Sequence, residues 1–162
     1  MTIRKLEISD YLSYKSIRLE ALKDNPYNFI STFAEEAEFE NNKWQEIVAT
    51  NNLFGYFTAE NAIVAVVGLL DEKKAKLAHL RTVFAMYVKP SFRGLGISMQ
   101  LMNYLKSIVP TDVRQFHLGC SANNLPAISF YRKCGFKIYG TRPNYTKVDD
   151  EFYDDVIMIC EL

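Results

Sequence analysis

The spacing of apolar positions divides the 162-residue chain into alternating strands and helices. Residues 3–6 read as a short strand. Tyr14, Ile17 and Ala21 then recur at helical spacing behind Asp10, a residue suited to cap a helix, and Asp24-Asn25-Pro26 stops the run. A second helix around residues 42–50 places Trp44, Ile47 and Val48 on one face. Residues 53–58 and 63–70 read as a hairpin across 59–61, and a turn at 71–75 leads into a long strand over 77–88. Ile97, Leu101, Leu105 and Ile108 line one side of the next helix, which Pro110 ends. A strand over 115–121, a short helix, and strands near 136–139 and 152–160 complete the chain. The order is β-α-α-β-β-β-α-β-α-β-β, without repeats, linkers or low-complexity tracts.

The junction after the long strand carries the most chemistry. Lys89-Pro90-Ser91 turns the chain, and Arg93, Gly94, Leu95 and Gly96 open the following helix. A helix start leaves backbone N–H groups unpaired, at the positive end of the helix dipole. Glycines there have no Cβ, so a phosphate can come close to the main chain. The loop therefore suits a pyrophosphate. A Walker A pattern is absent, and a dinucleotide-binding turn would need a third glycine at Met99 and a start directly at the strand end.

The stretch resembles motif A of the Gcn5-related N-acetyltransferases (GNAT): Arg or Gln, two residues, Gly, one residue, then Gly or Ala. Arg93 and Gly96 fit it, and Ser98 departs from it with a serine, small enough to keep the turn, at the last position. About thirty residues on, 123–136 resembles motif B of the same superfamily, with Asn124, Ala127, Phe130, Tyr131, Gly135 and Phe136 at the marked positions. That segment reads as a short helix with Asn124 near its N-cap, Pro126 in its first turn and Gly135 as the residue that ends it. The resemblance spans nearly the whole chain. It implies one GNAT domain over 1–162, of mixed α/β (α+β) class, with a central twisted, mostly antiparallel sheet of six to seven strands flanked by about four helices.

Composition fits such an enzyme. Apolar residues make up 49% and aromatics 14%, enough for a real core. Basic and acidic residues balance at 19 each, so no strong field favours nucleic acid or an anionic membrane. The longest apolar stretch, 62–70, is too short to span a bilayer, and the first residues alternate charge and hydrophobe, unlike a signal peptide. Cys120, Cys134 and Cys160 follow no metal-binding spacing and read as reduced thiols of a cytoplasmic protein. No metal is expected.

The resemblance also implies roles. Acetyl-CoA is the acyl-donor cosubstrate. Its pantetheine arm would pair with the main chain of Met86, Tyr87 and Val88, and its pyrophosphate would lie on the N–H groups of Arg93, Gly94, Leu95, Gly96, Ile97 and Ser98. Asn124 would contact the pantetheine arm, and the Tyr131 hydroxyl would contact and protonate the departing sulfur. A phenol near pKa 10 giving its proton to a thiolate near 8.5 is only mildly uphill, so that transfer is feasible.

The general base is open. Histone-modifying relatives place a Glu on the strand before motif A, and Thr82 takes that position here. Glu35, Glu36 and His79 (read as a strand residue) are candidates, beside a water chain. The acceptor side would be built from 25–39, with Tyr27, Phe29, Phe33, Glu35, Glu36 and Glu38, and from 139–155, with Tyr145, Tyr153 and the acid pairs 149–150 and 154–155. These suit a small primary amine. Acetylation of a protein N-terminus or lysine, and a non-catalytic acyl-CoA-binding module, are the alternatives. A homodimer is compatible with the exposed final hairpin.

Overall fold

The computed structural model describes Met1–Leu162. Its strands are β1 (Thr2–Lys5), β2 (Asn52–Phe57), β3 (Ile63–Asp71), β4 (Leu80–Val88), β5 (Gln115–Ser121), β6 (Lys137–Val148) and β7 (Glu151–Glu161). Its helices are α1 (Tyr11–Asp24), α2 (Phe33–Ala37), α3 (Asn41–Thr50), α4 (Ile97–Ile108) and α5 (Leu125–Lys133). The seven strands hydrogen-bond in the order β1-β2-β3-β4-β5-β7-β6. β4 and β5 run parallel, so the chain between them must cross over, and it does so through α4. The pairs β1–β2, β2–β3, β5–β7 and β6–β7 are antiparallel. The mostly antiparallel sheet and its flanking helices are the fold that the motifs imply. No helix is long and apolar enough to cross a membrane.

By contacts the chain forms two compact units: Met1–Leu70 with Ala85–Ile108, and Asp71–Phe84 with Val109–Leu162. The boundary falls inside β4 at Ala85, a non-glycine residue with φ 52°, a left-handed kink in an otherwise extended strand.

In the first unit, the helical spacing read from the sequence does face the core: Tyr14, Ile17 and Ala21 of α1 are buried, as are Trp44 and Val48 of α3. The Tyr14 and Trp44 rings meet edge to face at 6.0 Å between centroids. Residues 63–69 of β3 are buried without alternation, so both faces of that strand are covered. On α4, Ile97, Leu101 and Leu105 are buried, but Ile108 is 41% exposed and Met102 takes the fourth core position. The stripe drifts around a 3.6-residue helix and its last turn faces water.

Three further elements differ from expectation. Asp10 precedes α1 without capping it; its carboxylate accepts two bonds from Arg4, at 2.6 and 2.9 Å, and one from the Glu7 N–H at 2.8 Å. The short helix α2 lies between the two expected helices. Thr32 and Glu35 cap it reciprocally, the Glu35 N–H donating to Thr32 Oγ1 at 3.2 Å and the Thr32 N–H to Glu35 Oε2 at 2.8 Å. β4 starts at Leu80, because residues 75–77 close a 3-10 turn in which the Leu77 N–H donates to the Lys74 carbonyl at 2.8 Å.

In the second unit, Phe116, Leu118 and Cys120 of β5 form one buried face, and Met158 and Cys160 of β7 share that face by register; Ile128 of α5 is buried too. β6 is far longer than its sequence suggests. Pro143 and Asn144 (φ 51°) interrupt its pattern, yet it is the outermost strand of the sheet, where a missing N–H and a bulge are tolerated.

Candidate functional site

The first unit contains the glycine loop. β4 ends at Val88, and the Lys89 N–H donates to the Val64 carbonyl at 2.9 Å, fixing where the strand stops. Residues Pro90–Phe92 form one 3-10 turn, and the Arg93 Nε–H returns to the Val88 carbonyl at 3.0 Å. Gly94 and Gly96 then adopt φ 78° and 76°, and α4 begins at Ile97. A Cβ on Gly94 would meet nothing within 4 Å, and one on Gly96 only Gln100 Nε2 at 4.0 Å. The loop surface over residues 93–96 is exposed. Left-handed glycines at a helix start thus leave an open approach to main-chain donors, which is what a phosphate needs.

Beneath this loop lies a polar clasp that sequence reading passes over. The buried Tyr87 hydroxyl lies 3.1 Å from Glu20 Oε1 and 3.0 Å from Asp24 Oδ2, both on α1. Lys89 Nζ pairs with the other Glu20 oxygen at 2.9 Å, and the Arg93 guanidinium lies over the Tyr87 ring at 5.6 Å. Burial, then the two carboxylates, hold the Tyr87 phenol far above its ordinary pKa. The Tyr87 side chain therefore belongs to the scaffold. Glu20 and Asp24 stand four residues apart, one helical turn, which is the signal that could have revealed the clasp.

The second unit carries the motif B residues. Asn124 caps α5, its Oδ1 accepting the Ala127 N–H at 3.2 Å. Gly135, at φ 93°, ends the helix. Tyr131 is half-buried between Phe130 and Phe136, with ring centroids at 5.2 and 5.7 Å. Burial pushes its phenol well above the ordinary value, and the nearby Cys120 and Cys134 thiols add to the shift. Cys120 is itself raised to about 11 by burial, then by Asp155.

None of the three candidate bases is set up as a proton acceptor. Glu35 is a fully exposed capping residue whose pKa is lowered by the Thr32 backbone and hydroxyl. Glu36 is buried and held in a bidentate pair by Arg18, at 2.9 and 2.6 Å. His79 lies in the exposed turn before β4 rather than on the strand, because residues 75–79 never extend. Thr82 is on β4, in register with His117 of β5.

Three acids of the last hairpin, Asp150, Asp154 and Asp155, have partners within it. Asp155 is buried and bonded by Arg142, whose Nε lies 3.2 Å from Oδ2 and whose guanidinium stacks 3.7 Å from the Tyr145 ring centroid. Gly119 is bare because a Cβ there would collide with the Arg142 guanidinium and with Asp155 Oδ2 at 2.8 Å. Asp154 Oδ1 accepts the Asn144 N–H at 2.8 Å, and Lys147 pairs with Asp150 at 3.3 Å.

Comparison with known proteins bears on the fold. Among solved structures, an acetyltransferase of the GNAT family from Streptococcus pneumoniae superposes with a TM-score of 0.84 at 16% identity, covering 99% of each chain. The Salmonella typhimurium protein yncA, solved with its cofactor acetyl-CoA, gives 0.83 at 14% identity, covering 100% of this chain and 94% of that one. A ribosomal-protein-alanine N-acetyltransferase from Brucella melitensis gives 0.76 at 18% identity over 100% of both chains. At these identities the likeness is one of fold. The sequence model of the family described as the acetyltransferase (GNAT) domain matches residues 47–138, more than half of the chain and including the glycine loop, β5 and α5. The chain belongs to the GNAT family of acetyltransferases.

Proposed function

We propose that this protein is an acetyl-CoA-dependent N-acetyltransferase that passes the acetyl group to the primary amine of a small molecule by direct attack in a ternary complex. The observation that carries the reading is the pair of left-handed glycines at the head of α4, open to approach on both. In this reading the main-chain N–H groups from Arg93 to Ser98 take the pyrophosphate. The β4 backbone at Met86, Tyr87 and Val88 pairs with the pantetheine arm, the kink at Ala85 having taken that end of the strand out of regular geometry. Asn124 contributes first as the cap that sets the angle of α5, the helix carrying Tyr131.

Tyr131 gives its proton to sulfur as the C–S bond breaks. Burial keeps the phenol protonated at every pH at which the enzyme would work, so the donor is always loaded. The same burial makes Tyr131 a weaker acid than an ordinary phenol, so the transfer is more uphill than the ordinary values imply, and it proceeds only as negative charge builds on the departing sulfur. The acceptor amine supplies the nucleophile, and its attack on the carbonyl carbon forms the C–N bond.

The test is calorimetric titration of acetyl-CoA into the parent protein and a Gly96→Glu variant, with thiol release recorded alongside. Binding to the parent that is lost in the variant supports the reading. No binding to the parent refutes it and leaves the loop as a helix start with no ligand.

A further inference from the structure

We propose that His117 is the proton acceptor for the attacking amine. The inference rests on the transferase reading above and names a residue that the motifs do not.

It begins with a vacancy in chemistry. An alkylamine with a pKa of about 10.4 is only about 0.04% neutral at pH 7, so a proton must be removed before attack. Thr82 cannot remove it, and Glu35, Glu36 and His79 are otherwise engaged or misplaced. The parallel register of β4 and β5 runs Leu80↔Gln115, Arg81↔Phe116 and Thr82↔His117. Partners in a parallel register present their side chains to the same face, on strands about 4.8 Å apart. His117 therefore stands beside Thr82, on the face where a base at that level would be.

The opposite face is taken. Phe116, Leu118 and Cys120 alternate with His117 and are buried, and Cys120 is a near neighbour of Tyr131. Acid and base thus stand on opposite faces of β5. The two proton transfers concern different atoms, the amine nitrogen and the departing sulfur, so the acceptor and the donor need not share a face.

The imidazole is oriented for the task. Nε2 lies 3.3 Å from Gln115 Oε1; a hydrogen on Nε2 would bond there and leave the Nδ1 lone pair to accept. Nδ1 faces the Tyr139 hydroxyl at 3.3 Å, and the two rings meet edge to face at 5.8 Å. Tyr139 is 55% exposed at a β6 irregularity, so its hydroxyl marks a place that an incoming amine nitrogen can take over. In the reaction the ammonium gives its proton to Nδ1 and the free amine forms the C–N bond. The C–S bond breaks, sulfur takes the Tyr131 proton, and the imidazolium returns its proton to solvent.

The charged groups acting on His117 are Glu72 and His79 in the loop before β4. Burial lowers its pKa first, Glu72 opposes that, and His79 adds to it. The lowering favours the neutral imidazole, the form able to accept a proton.

The experiment measures thiol release from acetyl-CoA with spermidine, tyramine and glycylglycine as acceptors, for the parent and for His117→Gln from pH 6 to 9.5. His117→Ala replaces it should the glutamine variant not bind acetyl-CoA as the parent does. The expected result is unchanged acetyl-CoA binding with turnover lower by about 100-fold or more at pH 7, the deficit closing as pH rises and the amine deprotonates in solution. A purely structural histidine would lower the rate equally at every pH. Parent-like turnover, or a pH-independent loss, overturns the assignment and leaves the transferase reading intact. No thiol release by the parent with any of the three, although acetyl-CoA binds, overturns that reading and His117's role with it.

Discussion

Replacing each of the two loop glycines separates backbone strain from ligand approach, because neither replacement creates a clash. An alanine Cβ at Gly94 meets nothing within 4 Å, and at Gly96 only a side-chain nitrogen at 4.0 Å. The whole folding cost then comes from holding an L-residue at φ 78° or 76°. That strain is about 1–2 kcal/mol, reduced by about 0.4–1 kcal/mol because alanine also restricts the unfolded chain. Gly94→Ala and Gly96→Ala should each lose about 1 kcal/mol, seen as a lower urea midpoint at constant m-value and a Tm lower by about 2–4 °C. Asparagine tolerates the left-handed region better, so Gly96→Asn should recover part of the stability. It should not recover coenzyme affinity, since its side chain still stands where the phosphate approaches. Calorimetry with acetyl-CoA should show affinity at least about tenfold weaker for both Gly96 variants, a difference of about 1.4 kcal/mol. Gly96→Asn that binds acetyl-CoA as the parent does would refute the cradle. Alanine variants as stable as the parent would refute the strain argument.

Tyr131→Phe should leave acetyl-CoA affinity near the parent value and lower kcat by about 10²–10⁴-fold, because only the proton donor is removed; an unchanged kcat would reduce Tyr131 to packing. Glu36→Gln leaves the Arg18 guanidinium without its anion in a site where the side chains are only 12% and 9% exposed. Urea unfolding should show a loss of about 3–5 kcal/mol, and a loss below about 1 kcal/mol would mean that water replaces the pair. Asp10 is held below the usual carboxylate range chiefly by its hydrogen bonds from Arg4. Its folded pKa lies under the unfolded one, so its stabilisation is present above about pH 3.9 and lost as pH falls through the folded value. Arg4 is 34% exposed, so the contribution is under about 1 kcal/mol, and Asp10→Asn should flatten the acid side of the stability curve by that amount.

The sequence by itself determined the elements whose signals are local. Helical spacing put Tyr14, Ile17 and Ala21 in the core, Gly135 ended α5 where a left-handed residue was required, and Asn124 capped it. Both family motifs were legible for the same reason: a phosphate loop and a capped helix are written in consecutive residues. Even α2 was present in the Thr32-to-Glu35 capping pattern, though five residues are too few to show a periodicity. Some features that depend on pairing between distant segments, and one short turn, escaped local reading. β6 runs through Pro143 because its outward edge needs no partner, and His79 leaves the strand because residues 75–77 close a turn. The Tyr87 clasp joins residues 63 and 67 positions apart, and Asp154 and Asp155 of the last hairpin are bound within it. His117 beside Thr82 is the clearest case. Strand alternation gives each residue its face, but only the register between two strands thirty-five positions apart in the sequence sets one beside the other.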